Sequence, residues 1–470
     1  PGVSSRWAIT SGTSLQATLN PDFSQVEADA AQLDVNRRFA LSFPEKRPFF
    51  LEGSDFFETQ LPLLFTRSIA DPVAGIKLTG KSGANAYGVL LARDRITNLL
   101  VPSDQSSFRT TLPEDSTTAV LRYRREIGKK VTVGTLVSSR SGPGYDNRVA
   151  SADTYLRLTE RDSLRVQFAD SQSNYPDAIA PGTLRGHGFL AIYSHSDRNW
   201  TWGGNYQEYS PKFRADAGLF DQVGIRYGSG YAERRIRGGT PGRTWFSNLY
   251  FSLGGDTTRQ YDGDWTEWGA DLVGVYQGPR QSSISINFLA PNQEFFAGRV
   301  YHNLRHNFSA SIQATRDLRL GLSSSWGEQI DFTNERPADF VTLSPSATFD
   351  VGRRIHGELS WQHQTFKTEA GDRVFTADVP QARLLYHFSR RAFLRTILQY
   401  RDVQREPDQY VVPVQRENRS FLSQVLFSYR VDAQTVFLAG YSDNYAGTDQ
   451  LDLTRLDRTL FVKLSYAWLF

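Results

Sequence analysis

The sequence predicts an all-β chain, a transmembrane antiparallel β-barrel of about 22 strands, within a range of about 20–24. Three observations lead there. Apolar and polar residues alternate with period two over most of the chain, the pattern of strands that show different media on their two faces. Mean hydropathy is −0.44, and no apolar run approaches the roughly 20 residues a spanning helix requires, so only a closed barrel could cross a bilayer. Short polar turns alternate with longer polar segments, as in a barrel with short periplasmic turns and longer extracellular loops.

Composition fits one large, quasi-repetitive unit. In 470 residues the aromatics make up 13%, and the 37 glycines are spread evenly rather than in blocks. The absence of cysteine excludes disulfides, thiolate metal sites and a lipid-bearing N-terminal cysteine, and suits an oxidising periplasm. The absence of methionine has no physical explanation. Pro1 opens directly into polar sequence without a signal peptide, as expected of a processed or excised fragment.

The elements follow in order. Residues 1–19 are expected to form the first barrel strand, centred on Trp7–Leu19, residues 20–72 an insert without sustained alternation, and residues 73–470 the remaining strands. Leu121 and Tyr123 alternate with Arg122 and Arg124, Leu156 and Leu158 with Arg157, and Leu164 and Val166 with Arg165. Late in the chain Leu394, Leu398 and Tyr400 oppose Arg395 and Arg401, and Arg383 recurs in the same way. Short turns are read at residues 81–85, 126–130, 160–163, 195–199, 277–282, 315–318, 352–355, 389–392 and 430–434. Longer polar segments are read at 97–116, 171–187, 329–340, 402–420 and 442–458. An even strand count would return both ends to the periplasm. Trp200, Trp202, Trp245, Trp326, Trp361 and Trp468 recur near strand ends, as aromatic girdles do; a large soluble all-β sandwich or propeller would not need them there.

The insert is acidic. Residues 20–71 carry nine acids against five bases, a net −4 in a chain of net +3. Some fifty residues is long for an idle loop. Arg122, Arg124, Arg157, Arg165, Arg383, Arg395 and Arg401 would line the lumen, and a barrel of this size encloses space that needs filling. One reading folds the insert into the lumen as a plug or constriction; the alternative is a cap on the extracellular rim. The arginines likewise have two readings, as a ring favouring anionic or polyhydroxylated solutes, or as partners of Asp153, Glu358 and the insert.

Within the insert, Pro44 and Pro48 restrict the backbone and bias the residues before them toward extended conformations. Phe43, Glu45, Lys46, Arg47, Phe49, Phe50 and Glu52 therefore read as a rigid elbow that anchors aromatics while pairing ions. The stretches Leu19 to Asp29 (LNPDFSQVEAD), Phe43 to Gly53 (FPEKRPFFLEG), Leu64 to Arg67 (LFTR) and Gly75 to Lys81 (GIKLTGK) resemble a family of bacterial outer-membrane proteins of unassigned function. In that family a domain like carbohydrate-binding module family nine precedes a C-terminal barrel, and these 470 residues are expected to hold the barrel without that domain. The resemblance implies an envelope barrel connected with glycans and brings no assigned site residues. At the other end, Tyr466, Trp468 and Phe470 resemble the C-terminal assembly signal of outer-membrane barrels, which implies outer-membrane localisation, lipid contact and the barrel assembly machinery as a partner.

No catalytic pattern is evident, and the chain is not expected to be an enzyme. The seven histidines are scattered, with His302 and His306 sharing a strand face without a nearby acid. Residues Ser194, His195, Ser196 and Asp197 hold hydrolase ingredients on one turn, whereas nucleophilic catalysis needs groups converging in space. No phosphate loop, dinucleotide fingerprint, zinc spacing or basic run occurs, so no cofactor and no nucleic acid are expected. The expected function is passage or surface handling of a polar, glycan-related solute through a plugged, arginine-lined lumen. The alternatives are a non-conducting barrel that anchors a partner protein or glycan at the surface or in the periplasm, and an outer-membrane hydrolase with a site on the extracellular rim.

Overall fold

A computed structural model describes the chain apart from residues 1, 22, 24–26, 30–31, 240–243, 433–434 and 467–470. Among the described residues it is all-β: 24 strands belong to one antiparallel sheet and two more form a separate hairpin. Helical structure is confined to short turns such as α1 (Pro48–Leu51). No described helix is long and apolar enough to cross a membrane.

The chain divides into two compact units, one of residues 1–23, 37–233 and 254–268, the other of residues 24–36, 234–253 and 269–470. The strands of the first, in chain order, are β1 (Val3–Thr10), β2 (Thr13–Leu19), β3 (Pro72–Ser82), β4 (Asn85–Asp94), β5 (Thr97–Pro102), β6 (Ser107–Leu112), β7 (Ser116–Ile127), β8 (Val131–Gly142), β9 (Tyr145–Arg157), β10 (Asp162–Asn174), β11 (Thr183–Ser196) and β12 (Trp200–Tyr209). Three strands carry residues of both units: β13 (Ile225–Arg237), β14 (Asn248–Gln260) and β15 (Trp265–Gln277). The second unit continues with β16 (Ser283–Leu289), β17 (Pro291–Phe296), β18 (Arg299–Thr315), β19 (Leu318–Asp331), β20 (Arg336–Val351), β21 (Ile355–Thr368), β22 (Arg373–His387), β23 (Ala392–Arg405), β24 (Glu417–Arg430), β25 (Thr435–Thr448) and β26 (Thr454–Tyr466). Most strands pair with the next in sequence, so most connections are local turns.

In each unit one sheet face carries exposed apolar rows and the other carries polar residues, in the first unit beside the buried Leu90, Val120 and Leu136. In the first, Leu78, Val89, Leu121 and Val137 stand opposite one another across four strands. Val89, Leu121 and Val137 are exposed, as are Ile76, Leu91, Val133 and Phe168. The opposite face carries Lys77, Thr79, Thr118, Arg122, Ser138, Arg140, Asn147 and Gln167, all buried. In the second unit Leu320, Ala347, Leu359, Ala382 and Leu398 form a comparable apolar row, with Arg383, Arg395 and Arg401 on the other face. A soluble sheet buries its apolar face and wets its polar one; here the arrangement is reversed.

Four readings of the sequence need correction. The expected single first strand is a hairpin, β1 and β2, because the Ser11–Gly12 turn sits inside continuous alternation that periodicity cannot break; a Cβ at Gly12 would meet the Lys81 carbonyl oxygen at 2.5 Å. Segment 97–116 is no plain loop but holds the β5–β6 hairpin. Two thirds of segment 329–340 is strand, with β19 and β20 paired from Leu318 to Asp331 and only a four-residue connection at 332–335. The insert ends at 71, since β3 begins at Pro72.

Candidate functional site

The insert departs from strand geometry, and its two parts belong to different units. Residues 37–71 pack on the polar face of the first unit. Phe49, Phe50, Phe57, Leu61, Leu63 and Ile69 are all buried and join Leu90, Val120, Leu136, Val149 and Leu190 of the strands in one apolar cluster. Glycines on the strands make room: a Cβ at Gly75 or Gly88 would meet the ring of Phe49 at 2.8 Å or of Phe57 at 2.9 Å. Polar strand residues serve the insert backbone. Gln167 Oε1 accepts the Leu61 N–H at 2.7 Å, and the Lys77 ammonium donates to the Phe49 and Glu52 carbonyls. Such bonds matter because an irregular segment buried away from water cannot satisfy its own backbone.

The expected elbow is an ion-paired corner. Glu45 Oε1 accepts the Arg47 backbone N–H at 2.8 Å and its Nε–H at 2.9 Å, while Oε2 takes Nη2 at 2.7 Å and the Thr66 hydroxyl at 2.7 Å. Arg47 is 6% exposed and donates onward to the Ile69 and Thr66 carbonyls. Its guanidinium lies 4.3 Å from the Phe50 ring centre and 5.3 Å from that of Phe23. Burial pushes the Glu45 carboxyl up, but the hydrogen bonds from Arg47 and Thr66 outweigh it and hold the group below its ordinary value. Lys46 donates its backbone N–H to Glu45 at 3.0 Å, Phe43 borders a cavity described below, and Glu52 accepts Gln16 Nε2 at 2.7 Å and Arg6 Nη1 at 3.2 Å.

Residues 27–29 and 32–36 pack on the polar face of the second unit with different chemistry. Glu27 takes Arg383 Nε at 3.1 Å and Arg395 Nη1 at 3.2 Å, and Arg383 also reaches Glu358 at 2.8 Å. Arg401 pairs with Asp34. Gln399 donates to the Asp29 carbonyl at 2.9 Å, Gln424 accepts the Ala28 N–H at 3.2 Å, and Asn36 bridges to Ile330 and Phe332. Among the described residues of this stretch Leu33 is the one buried apolar side chain, set among Phe340, Phe366 and Phe375. The alternation of β22 and β23 brings Arg383, Arg395 and Arg401 to one face, so three strand arginines meet two insert carboxylates.

The remaining arginines differ. Arg122 is 2% exposed and bonded to Asp153, one contact being 2.9 Å. Arg124 follows on the same face, partly buried. Arg165 lies over the Tyr155 ring at 5.5 Å, and Arg157 is exposed near a turn. Trp468 and Phe470, and the side chain of Tyr466, lie outside the described residues. His195 Nδ1 meets Asp162 Oδ1 at 2.7 Å and its ring stacks on Trp202, while Asp197 caps the turn by accepting from Asn199 and Trp200; Ser194 and Ser196 do not converge on it. His306 stacks on Trp326. Among the described residues no group of three or more His, Cys, Asp or Glu could hold a metal.

Sequence reasoning missed the 210–224 connection. It docks tightly: a Cβ at Gly186 of β11 would meet the Phe213 nitrogen at 2.2 Å, and one at Gly218 the Pro62 carbonyl oxygen at 2.3 Å. Backbone bonds join it to the insert, Leu219 N–H to Pro62 at 3.0 Å and Phe65 N–H to Ala217 at 2.7 Å. Asp216 accepts the hydroxyls of Tyr145 at 2.7 Å and Tyr175 at 2.7 Å. Burial pushes its carboxyl up, against the lowering effect of those hydroxyls and of Arg140 and Arg214. Burial also lowers Arg214 from its ordinary value. The available signal was a run without alternation between Tyr209 and Ile225 that nevertheless holds two phenylalanines. This connection, the insert and the β5–β6 hairpin enclose a cavity of about 540 Å³ within the first unit, with Phe43, Phe65, Phe220, Arg67, Arg109 and Arg214 in its wall.

A family model described as a domain of unknown function, DUF5916, matches residues 1–85. No curated protein matches the sequence. Among solved structures the chain is similar to a mutant ferric enterobactin receptor (PfeA) of Pseudomonas aeruginosa, at 8% identity over 84% of this chain and 85% of that one, with a TM-score of 0.41. It is also similar to the FrpB iron transporter of Neisseria meningitidis, at 9% identity over 83% and 70%, TM-score 0.44, and to the unliganded ferric citrate transporter FecA, at 8% over 98% and 69%, TM-score 0.42.

Proposed function

We propose that this chain is a bacterial outer-membrane β-barrel for the passage of a polar solute, with the insert as a plug whose residues 27–36 form its releasable part. The observation that carries the reading is the reversed polarity of the sheet: exposed apolar rows on one face, and on the other arginines held by insert carboxylates. Lipid matches the first face, and a water-filled interior the second. Part-exposed ion pairs between Glu27, Asp34 and three arginines are weak enough to open reversibly, whereas the apolar cluster under residues 49–69 is not. Once released, Arg383, Arg395 and Arg401 would present fixed positive charge to a passing anionic or polyhydroxylated solute. Glycan specificity rests on the family resemblance alone.

Single-channel conductance in planar bilayers tests this, comparing the intact chain with a variant whose residues 24–36 are replaced by an equally long Gly/Ser segment. A closed or flickering intact protein and a steadily conducting variant are expected. Silence from both, in correctly folded protein, would favour a non-conducting anchor; equal steady currents would remove the gate.

A further inference from the structure

The cavity of the first unit has a composition that none of its structural duties explains. Its wall is made by Phe23, Phe43, Phe65 and Phe220 together with Arg47, Arg67, Arg109 and Arg214, and Asp216 is the one acid in that lining. Arg47 is neutralised by Glu45 at 2.7 Å. Asp216 is engaged by two tyrosine hydroxyls. Arg109 and Arg214 bond only backbone carbonyls, Arg109 that of Leu41 and Arg214 those of Pro211 at 3.0 Å and Phe213 at 2.7 Å. A guanidinium has five N–H donors, so both keep their charge and several donors for a further acceptor. Burial disfavours the charged form of Arg214 and the nearby Asp216 and Tyr175 make up only part of that, so a further anion beside it would offset the remaining cost.

We propose that this cavity binds a small aromatic anion, its ring among the phenylalanines and its carboxylate or equivalent group between Arg109 and Arg214. Volume and wall chemistry agree: about 540 Å³ is within the range of small-molecule sites, where an apolar lining is joined by a few placed polar groups. Aromatic rings give the cavity a preference for a flat ligand, and Thr110 and Thr111 of β6 add hydroxyls at its edge. Arg109 is exposed on β6 while Arg214 is part-buried on the 210–224 connection, so an anion reaching both would tie the hairpin to that connection. The proposal names a solute class for the passage reading and rests on that reading for its purpose, but the binding itself needs no open pore.

The test is calorimetric titration of the full chain in lipid nanodiscs with 2-naphthoate and, separately, with neutral 2-naphthamide, corrected for empty nanodiscs. One naphthoate should bind per chain, about tenfold or more tighter than the amide, since a charge-assisted hydrogen bond is lost with the charge. Arg109→Gln and Arg214→Gln should each weaken naphthoate about tenfold and leave the amide unchanged. Arg214 contributes to the connection's local bonding, so the exposed Arg109 variant keeps the test decisive if the other misfolds. Equal binding of acid and amide, or naphthoate affinity unmoved in Arg109→Gln, would overturn the site; citrate binding as tightly as naphthoate would overturn its aromatic character. A chain that binds naphthoate but never conducts would sink the passage reading and leave this one intact.

Discussion

The two parts of the insert lie on sheet faces of similar polarity and are held by opposite means. Residues 37–71 bury six large apolar side chains and one ion-paired corner; residues 27–36 bury Leu33 and otherwise rely on part-exposed carboxylates facing arginines. Burial of apolar surface is worth about 1.5–3 kcal/mol per large side chain, whereas an exposed ion pair contributes about 0–1 kcal/mol and weakens with salt. One part is thus a permanent component of its unit and the other a contact that ionic conditions can loosen. A single chain segment can in this way be both core and latch.

The contrast breaks most forcefully at the core. Leu61→Ala with Leu63→Ala should cost about 4–8 kcal/mol in urea unfolding from vesicles, because each side chain is fully buried and its loss leaves a cavity. A cost under about 1 kcal/mol would place residues 37–71 with the latch instead. Next comes the corner. Glu45→Gln leaves Arg47 buried without its partner, for an expected loss of about 3 kcal/mol. The pH dependence has a definite sign: the folded carboxyl lies below its ordinary 4.5, so its stabilisation is complete above that value and disappears as pH falls through the lower folded one. Stability measured between pH 7 and pH 3 should therefore show an acid limb in the native chain that is smaller in the variant. Gly218→Ala should follow, at about 1–3 kcal/mol, since its Cβ would meet the Pro62 carbonyl and the backbone there must shift; protease sensitivity confined to 58–66 and 210–224 is the expected sign.

Much of this contrast can be read in the sequence, and the unread part has a physical cause. Period two places Arg122, Arg383, Arg395 and Arg401 opposite apolar rows, and the acid count of residues 20–71 points to the last three as partners, whereas Arg122 pairs with the strand residue Asp153. Alternation cannot locate a turn that preserves it, which hides the Ser11–Gly12 hairpin. Nor can composition show where a segment passes from one unit to another: Asn36 and Arg37 are ordinary neighbours in sequence, and only the partners of Asn36 and Arg38, Ile330 for one and Gln105 for the other, separate them. Asp216 is likewise invisible as a site residue. Its character comes from Tyr145 and Tyr175, which lie 71 and 41 positions away.

The smallest expected effect discriminates best between core and latch. Glu27→Gln removes a carboxylate shared by Arg383 and Arg395, whose guanidiniums retain other partners, Glu358 for Arg383. Its equilibrium cost should be about 1 kcal/mol or less, hard to see in whole-chain unfolding. Local opening is a better measure, because the proposed latch would detach while the strands stay paired. Hydrogen exchange of Ala28, whose N–H is bonded to Gln424, should quicken several-fold in the variant at low salt. In the native chain the same amide should quicken as salt rises from 0.05 to about 0.5 M, where the screening length falls to a few ångströms, and the variant should respond less. Leu61, bonded to Gln167 in the apolar cluster, should respond to neither change. If Ala28 and Leu61 exchange in step under all four conditions, the insert opens as one body and the distinction between its two parts fails.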